Sequence, residues 1–308
     1  MRKLPVIRSV SEVFSGVTRH YFQLAFLALP AVLVLLFVSA YQYWILYKVG
    51  FYSLAERMSG REAPGDIAAT YGKMLSAIPW AQIVPVILIG ALASAIAAVR
   101  WHRFVLLGDG SSPILRREDL QYLWTTVKVL FFLFLFFVVV SAGGGIVIAV
   151  IAGAAAGAGD DGGFAELGLL FLVLIPLVLV GYALMIGVTM RLLLALPAVA
   201  VGADGGVIET WHATSGNTWR IAGYTLLIYI PMFVVFAILE RLILGTTEAM
   251  TDNGGMVIAA MTVLLGIVLY LYFLMTQITM LSVAYREIVG LPGGHEGEAT
   301  VAEPSPGL

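Results

Sequence analysis

Histidine is the side chain best suited to acid–base or metal chemistry near neutral pH, and this chain has four: His20, His102, His212 and His295. None stands at metal-ligand spacing from another, and no His-Glu-x-x-His helix occurs. There is no Gly-x-Ser-x-Gly nucleophile turn and no phosphate-binding P-loop. Asp160-Asp161 resembles a carboxylate pair for a divalent cation, but its Gly-rich surroundings read as a solvated outer turn. The chain has no cysteine, so disulfides, thiol catalysis and thiolate metal sites are excluded together. No catalytic residue, cofactor or metal site is expected.

Two clusters of basic and aromatic residues offer binding chemistry instead. In Arg100-Trp101-His102-Arg103, two guanidinium forks and an imidazole could address a phosphate on a lipid headgroup. The competing and favoured reading is a positively charged anchor that keeps a transmembrane helix from slipping. The second cluster runs from Trp211-His212 through Asn217 to Trp219-Arg220. Gly216 suits a helix C-terminus and Asn217 an N-cap, so a break that redirects the chain is expected here. Arg191 and Arg286 recur at places equivalent to Arg100, and all three are candidate contacts for an anionic group.

The elements that must position these residues are membrane spans. The chain of 308 residues is 60% hydrophobic and 12% charged, against about half and a quarter in soluble domains. Its mean hydropathy is +0.97. A net charge of −2 gives no reason to expect a nucleic-acid partner. A helix needs ~20 apolar residues to cross ~30 Å of hydrocarbon. Six stretches qualify: Phe22–Tyr47, Ile78–Val99, Val127–Ala152, Leu167–Met190, Ile221–Leu244 and Met256–Val283. Trp44, Trp80, Trp101, Trp124, Trp211 and Trp219 fall at or just outside the ends of these spans, where indoles favour the headgroup layer. The first span is long and continues past its small-residue triplet Val38-Ser39-Ala40, so it is expected to be retained and not cleaved as a signal peptide.

Orientation follows from Lys and Arg. With the N-terminus inside, the inner segments hold Arg2, Lys3, Arg8 and Arg19, then Arg100, Arg103, Arg116, Arg117 and Lys128, then Arg191, Arg220 and Arg286. The outer side keeps Lys48, Arg57, Arg61, Lys73 and Arg241. Both termini are therefore expected in the cytoplasm, with residues 291–308 a disordered tail rich in Pro, Gly and Glu. Glu240-Arg241 lies at a shallow outer depth where both charges reach water, and no deep intramembrane carboxylate is apparent.

Self-similarity points to three units, at residues 7–108, 112–202 and 206–290. Val10, Val13, Phe14 and Val17 form an apolar stripe at helical spacing, and Leu120, Leu123, Trp124 and Val127 repeat its intervals. Arg19 precedes Pro30 by 11 residues, as Arg220 precedes Pro231. Pro85 precedes Arg100 by 15, as Pro176 precedes Arg191. The expected fold is all-α: three parallel repeats, each an interfacial helix followed by a two-span hairpin. The prolines read as kinks that shape packing, and Gly143-Gly144-Gly145 with Gly153 and Gly157 as sites of close helix contact within or between chains.

The segment from Arg191-Leu-Leu-Leu-Ala-Leu-Pro197 through Trp211 to Thr214-Ser-Gly-Asn-Thr-Trp-Arg220 resembles a family. It is similar to bacterial multi-pass proteins related to the membrane domain of glycerophosphoryl diester phosphodiesterases, including the YciC-like inner-membrane proteins. There an "LPxxAxG" stretch and a "TxGNxW+" turn precede the next span. Here the turn follows a histidine, His212, that the pattern does not contain. The resemblance implies a six-span helical protein of the bacterial inner membrane and no phosphodiesterase activity, because the catalytic barrel of those enzymes is a separate soluble domain. The expected role is non-enzymatic: binding anionic lipid at the Arg/Trp corners, or further copies of itself or other membrane proteins through the glycine faces. A small-solute transporter or channel is the runner-up, and an intramembrane lipid-modifying enzyme comes last.

Overall fold

A computed structural model of the chain describes residues 2–51, 72, 75–76, 78–109, 116–157, 163–203, 206–248 and 253–291. The Asp160-Asp161 pair, His295 and the tail beyond 291 lie outside the described residues. Among the described residues eight helices follow one another: α1 (Val6–Lys48), α2 (Trp80–Leu107), α3 (Arg117–Gly157), α4 (Gly163–Leu193), α5 (Ala195–Ala200), α6 (Val207–Ala213), α7 (Thr218–Glu248) and α8 (Asn253–Ile288). Among the described residues there is no strand. Six helices are long and apolar enough to span a membrane, so the chain is an all-α membrane protein.

The expected interfacial helix before the first span is not a separate element. It runs on into α1, whose 43 residues would measure ~64 Å if straight, twice the hydrocarbon thickness. The excess is absorbed at His20, the one residue inside α1 whose backbone leaves the helical region (φ −107°, ψ 16°). The kink was expected at Pro30, where the backbone in fact stays helical. Before the kink, Ser9, Val13 and Val17 are buried while Arg8, Ser11, Ser15 and Arg19 are exposed. This is the amphipathic pattern that the stripe predicts.

α1 packs against α2 and α8, and α8 in turn against α7 and α2. α4 lies on α7, and α3 on α2 and α5. The three expected hairpins are thus packed unequally: α1 with α2 and α7 with α8 are close partners, while α3 and α4 touch little. The main core gathers Leu4, Val13, Leu106, Met190, Leu194, Ile221, Tyr224, Met280 and Ala284, where the starts of α1 and α7 meet the ends of α2, α4 and α8. A second cluster joins Ala95, Ala98 and Val99 to Tyr122, Leu196 and Ala200. A third joins Val17, Leu24 and Ala28 to Trp101 and Met275.

Among the described residues, two other glycines permit close approach between helices of this chain. A Cβ on Gly187 would stand 2.7 Å from the Thr218 carbonyl oxygen, so this glycine lets α4 meet the start of α7. On Gly90 a Cβ would meet Val38 at 3.3 Å, where α2 crosses α1. At Gly143, Gly144, Gly145 and Gly153 it would meet nothing within 4 Å, so these glycines make no close contact among the described residues of the chain. Ahead of them on α3, Phe131, Phe134, Phe137 and Val139 are all exposed.

Candidate functional site where the N-terminal segment meets the bundle

The turn between α6 and α7 is built from local sequence. Gly216 takes a left-handed φ of 76°, which a side chain would resist. Ser215 N–H bonds to the His212 carbonyl and Asn217 N–H to that of Thr214. The expected break is present, but Asn217 does not cap α7 with its side chain. Its Oδ1 accepts the Leu4 N–H (3.1 Å) and its Nδ2 donates to the Arg2 carbonyl (3.0 Å). Arg220 adds a bond from Nη1 to the Leu4 carbonyl (3.2 Å). Residues 2–4 are therefore strapped across the start of α7, with Leu4 wholly buried. Arg2, Lys3, His212, Trp219 and Arg220 are exposed around this strap.

Arg191 is committed to the protein. Its Nε donates to Thr214 Oγ1 (3.1 Å), Nη1 to Thr218 Oγ1 (3.1 Å) and Nη2 to the Trp211 carbonyl (2.6 Å). The guanidinium also lies 3.7 Å from the centre of the Trp211 ring, a stacking geometry suited to a planar cation. This one side chain ties α4 to both arms of the α6–α7 turn.

The Arg100–Arg103 cluster is divided. Trp101, expected at the headgroup layer, is instead buried, its Nε1 donating to the Leu24 carbonyl of α1 (2.7 Å). His102 is fully buried between three helices. Its Nδ1 is 2.7 Å from Ser282 Oγ of α8 and its Nε2 3.3 Å from Tyr122 Oη of α3. Ser282 already gives its hydrogen to the Ile278 carbonyl (2.9 Å). At Nδ1 the imidazole is thus the donor, and at Nε2 it accepts from Tyr122. Both residues were candidates for lipid contact because they sit at a span's end. The spacing did not reveal that α1, α3 and α8 would close over them. Arg103 is half-buried, with Nη1 3.4 Å from the Ala200 carbonyl and Nη2 3.6 Å from Asp109. Arg100 is half-buried too, and its Nε has no partner among the described residues.

Arg286 lies against a cavity of about 300 Å³ between α1, α2 and α8. Helical periodicity places its lining: Glu12, Gly16 and His20 are four apart on α1, and Thr279, Val283 and Arg286 share one face of α8. Leu24, Phe104, Val105 and Gly108 complete it. Arg286 is ion-paired with Glu12 across the gap and stands 3.4 Å from Glu287. His20 bonds through Nδ1 to Gln23 Oε1 (2.8 Å) and rests edge-on against Phe104. Its Nε2 has no partner among the described residues. Of this constellation only Arg286 stood out in the sequence. Glu12 and His20 lie in the first unit's amphipathic segment, 274 and 266 residues from it, and only the kinked α1 folds them back onto α8.

The three arginines expected to act alike are thus held in three ways: Arg191 by neutral groups, Arg286 by two carboxylates, and Arg100 with an unbonded Nε. Among the described residues no three His, Asp or Glu side chains converge as a metal site would require. No protein-family model, no curated protein and no solved structure matches this chain.

Proposed function

We propose that this chain is a non-enzymatic multi-pass protein of the bacterial inner membrane, with both termini cytoplasmic, and that it binds anionic lipid headgroups on its inner face. One observation carries this reading. The Asn217 and Arg220 bonds to residues 2–4 gather Arg2, Lys3 and Arg220 at one exposed corner, and none of the three is in an ion pair among the described residues. Exposed Trp219 beside them supplies the ring that favours the headgroup layer. The corner replaces the expected Arg100/Arg191/Arg286 set as the place of binding. Arg191 is bonded through Nε, Nη1 and Nη2 and Arg286 has its charge paired with two carboxylates, whereas Arg220 spends one hydrogen bond and is in no ion pair among the described residues.

Each basic residue near an anionic membrane surface contributes about 1 kcal/mol, so three together weigh roughly a hundredfold in retention. Native mass spectrometry of the protein in mild detergent measures this directly. Phosphatidylglycerol or cardiolipin is expected to stay bound through purification and to be lost from an Arg2→Gln/Lys3→Gln/Arg220→Gln variant. Because Arg220 also holds the strap, Arg2→Gln/Lys3→Gln serves as the variant with every strap bond intact. Equal lipid retention in that double variant and the unaltered protein would sink the proposal.

A further inference from the structure

The cavity between α1, α2 and α8 stands apart from the basic corner and calls for a different ligand. Its polar lining includes a contact ion pair, the Glu12 carboxylate bonded to the Arg286 guanidinium. Glu287 also reaches Arg286 at 3.4 Å, so two carboxylates share one cation there. An anion entering this space meets a guanidinium that is already neutralised, with a carboxylate on either side. A simple cation is drawn to Glu12 but leaves Arg286 facing it. A ligand carrying both charges answers both groups at once: an ammonium to Glu12, and an anionic oxygen to the guanidinium, whose Nε and Nη1 make no hydrogen bond among the described residues and can donate to a bidentate partner. His20 Nε2 and the Thr279 hydroxyl add directional hydrogen bonding at the same cavity.

Size and polarity narrow the class. At about 300 Å³ the space lies at the small end of ligand pockets, ~300–1,000 Å³, enough for a headgroup and not for acyl chains. Leu24 and Val283 are buried at its floor and Phe104 and Val105 line its side, surfaces suited to short methylene groups. Gly16 leaves the α1 wall open, since a Cβ there would meet nothing within 4 Å. The geometry points to a binding site for a zwitterion with a primary ammonium close to a phosphate or carboxylate. That group is carried by the headgroup of an ethanolamine phospholipid or by a free zwitterionic solute.

The test uses the full chain in a maltoside detergent, offered dihexanoyl phospholipids with ethanolamine, choline or glycerol headgroups at equal concentration. Free phosphoethanolamine is the fourth probe, and native mass spectrometry counts the adducts. The ethanolamine lipid is expected to bind about tenfold better than the other two. A trimethylated ammonium has no hydrogen to give Glu12, and the glycerol headgroup has no cation. Glu12→Gln should erase that preference. Gly16→Leu should block the site while keeping the helix, leucine being the better helix former. Competition by free phosphoethanolamine would identify a soluble zwitterion as the ligand, and binding of the lipid alone would identify the inner leaflet as its source. Both results support the site. Equal binding of the three lipids overturns it, as does an ethanolamine preference that survives Glu12→Gln. The Glu12→Gln comparison suffices by itself should Gly16→Leu fail to fold.

Discussion

The His102–Ser282 contact makes a quantitative prediction about what holds α2 to α8. Replacing Ser282 by alanine leaves the Ile278 carbonyl its helical partner but strips His102 Nδ1–H of its only acceptor, in a site with no exposure to solvent. An unsatisfied buried donor costs about 1–3 kcal/mol. Interhelical side-chain bonds in membranes average nearer 0.6 kcal/mol, with a ceiling of about 1.7. A loss of about 1–1.5 kcal/mol is therefore expected for Ser282→Ala. In a His102→Leu background the same substitution removes no bond to another helix, because the Ser282 hydroxyl is then tied only to its own backbone at Ile278. There it should cost a few tenths of a kcal/mol. The difference, about 1 kcal/mol, is the coupling read from a double-mutant cycle, measured by reversible unfolding in mixed dodecylsulfate–maltoside micelles. A Ser282→Ala cost that is the same in both backgrounds would refute the assignment of Nδ1 as donor to Ser282.

Other perturbations separate architecture from binding. Arg191→Lys keeps the charge but cannot reproduce three bonds and a stacked plane, so it should lower stability by about 1–3 kcal/mol while leaving retained anionic lipid unchanged in native mass spectra. Gly187→Ala should cost about 1–3 kcal/mol through overpacking against the Thr218 carbonyl. Gly181→Ala on the same helix, where a Cβ meets nothing within 4 Å, should be neutral or mildly stabilising in the same unfolding assay. Asn217→Ala removes both bonds to residues 2–4, and hydrogen exchange at the Leu4 amide should accelerate at least tenfold while amides within α8 stay protected.

The spans were legible because apolar length is a property of the sequence alone: five of the six expected stretches lie within a helix of the structure, and the other, Ile78–Val99, begins two residues before α2. The break at Ser215-Gly216-Asn217 was legible for a similar reason, since turn chemistry is local. What residues face was not. Trp101 and His102 carry the composition of an interfacial anchor, yet they lie on the side of α2 that α1, α3 and α8 cover. Hydropathy does not record which side of a helix another helix will take. Asn217 has the identity of an N-cap, but its carboxamide is drawn off by a backbone segment more than 200 residues away. His20, the non-helical position inside α1, carries no local sequence signal of a break, while at Pro30 the backbone torsions stay helical. The glycine triplet of α3 was noticed for its composition, while Gly187, a lone glycine, is the one that meets a backbone.

A common physical cause runs through these cases. In hydrocarbon, leucine and valine are equally content against lipid or against another helix, so apolar area does not decide which helices associate. Polar contacts and close backbone approaches must do so, and among the described residues they sit mainly toward the end of the bundle where α1 and α7 start. Arg191 ties α4 to the α6–α7 turn, His102 joins α2, α3 and α8, Trp101 reaches α1, and Tyr224 Oη donates to the Met280 carbonyl across α7 and α8. The outer part of α3 shows neither kind of contact among its described residues, and its phenylalanines and valines face outward. Fold specificity is thus carried by a few residues whose identity resembles that of surface anchors. The same end of the molecule presents the Arg2–Lys3–Arg220 corner and the Glu12–Arg286 cavity. A side chain that fixes the bundle and one that meets a headgroup therefore compete for the same depth, and burial, not residue type, tells them apart. Arg191 is enclosed and fully engaged, while Arg220, at the neighbouring turn, is exposed with charge to spare.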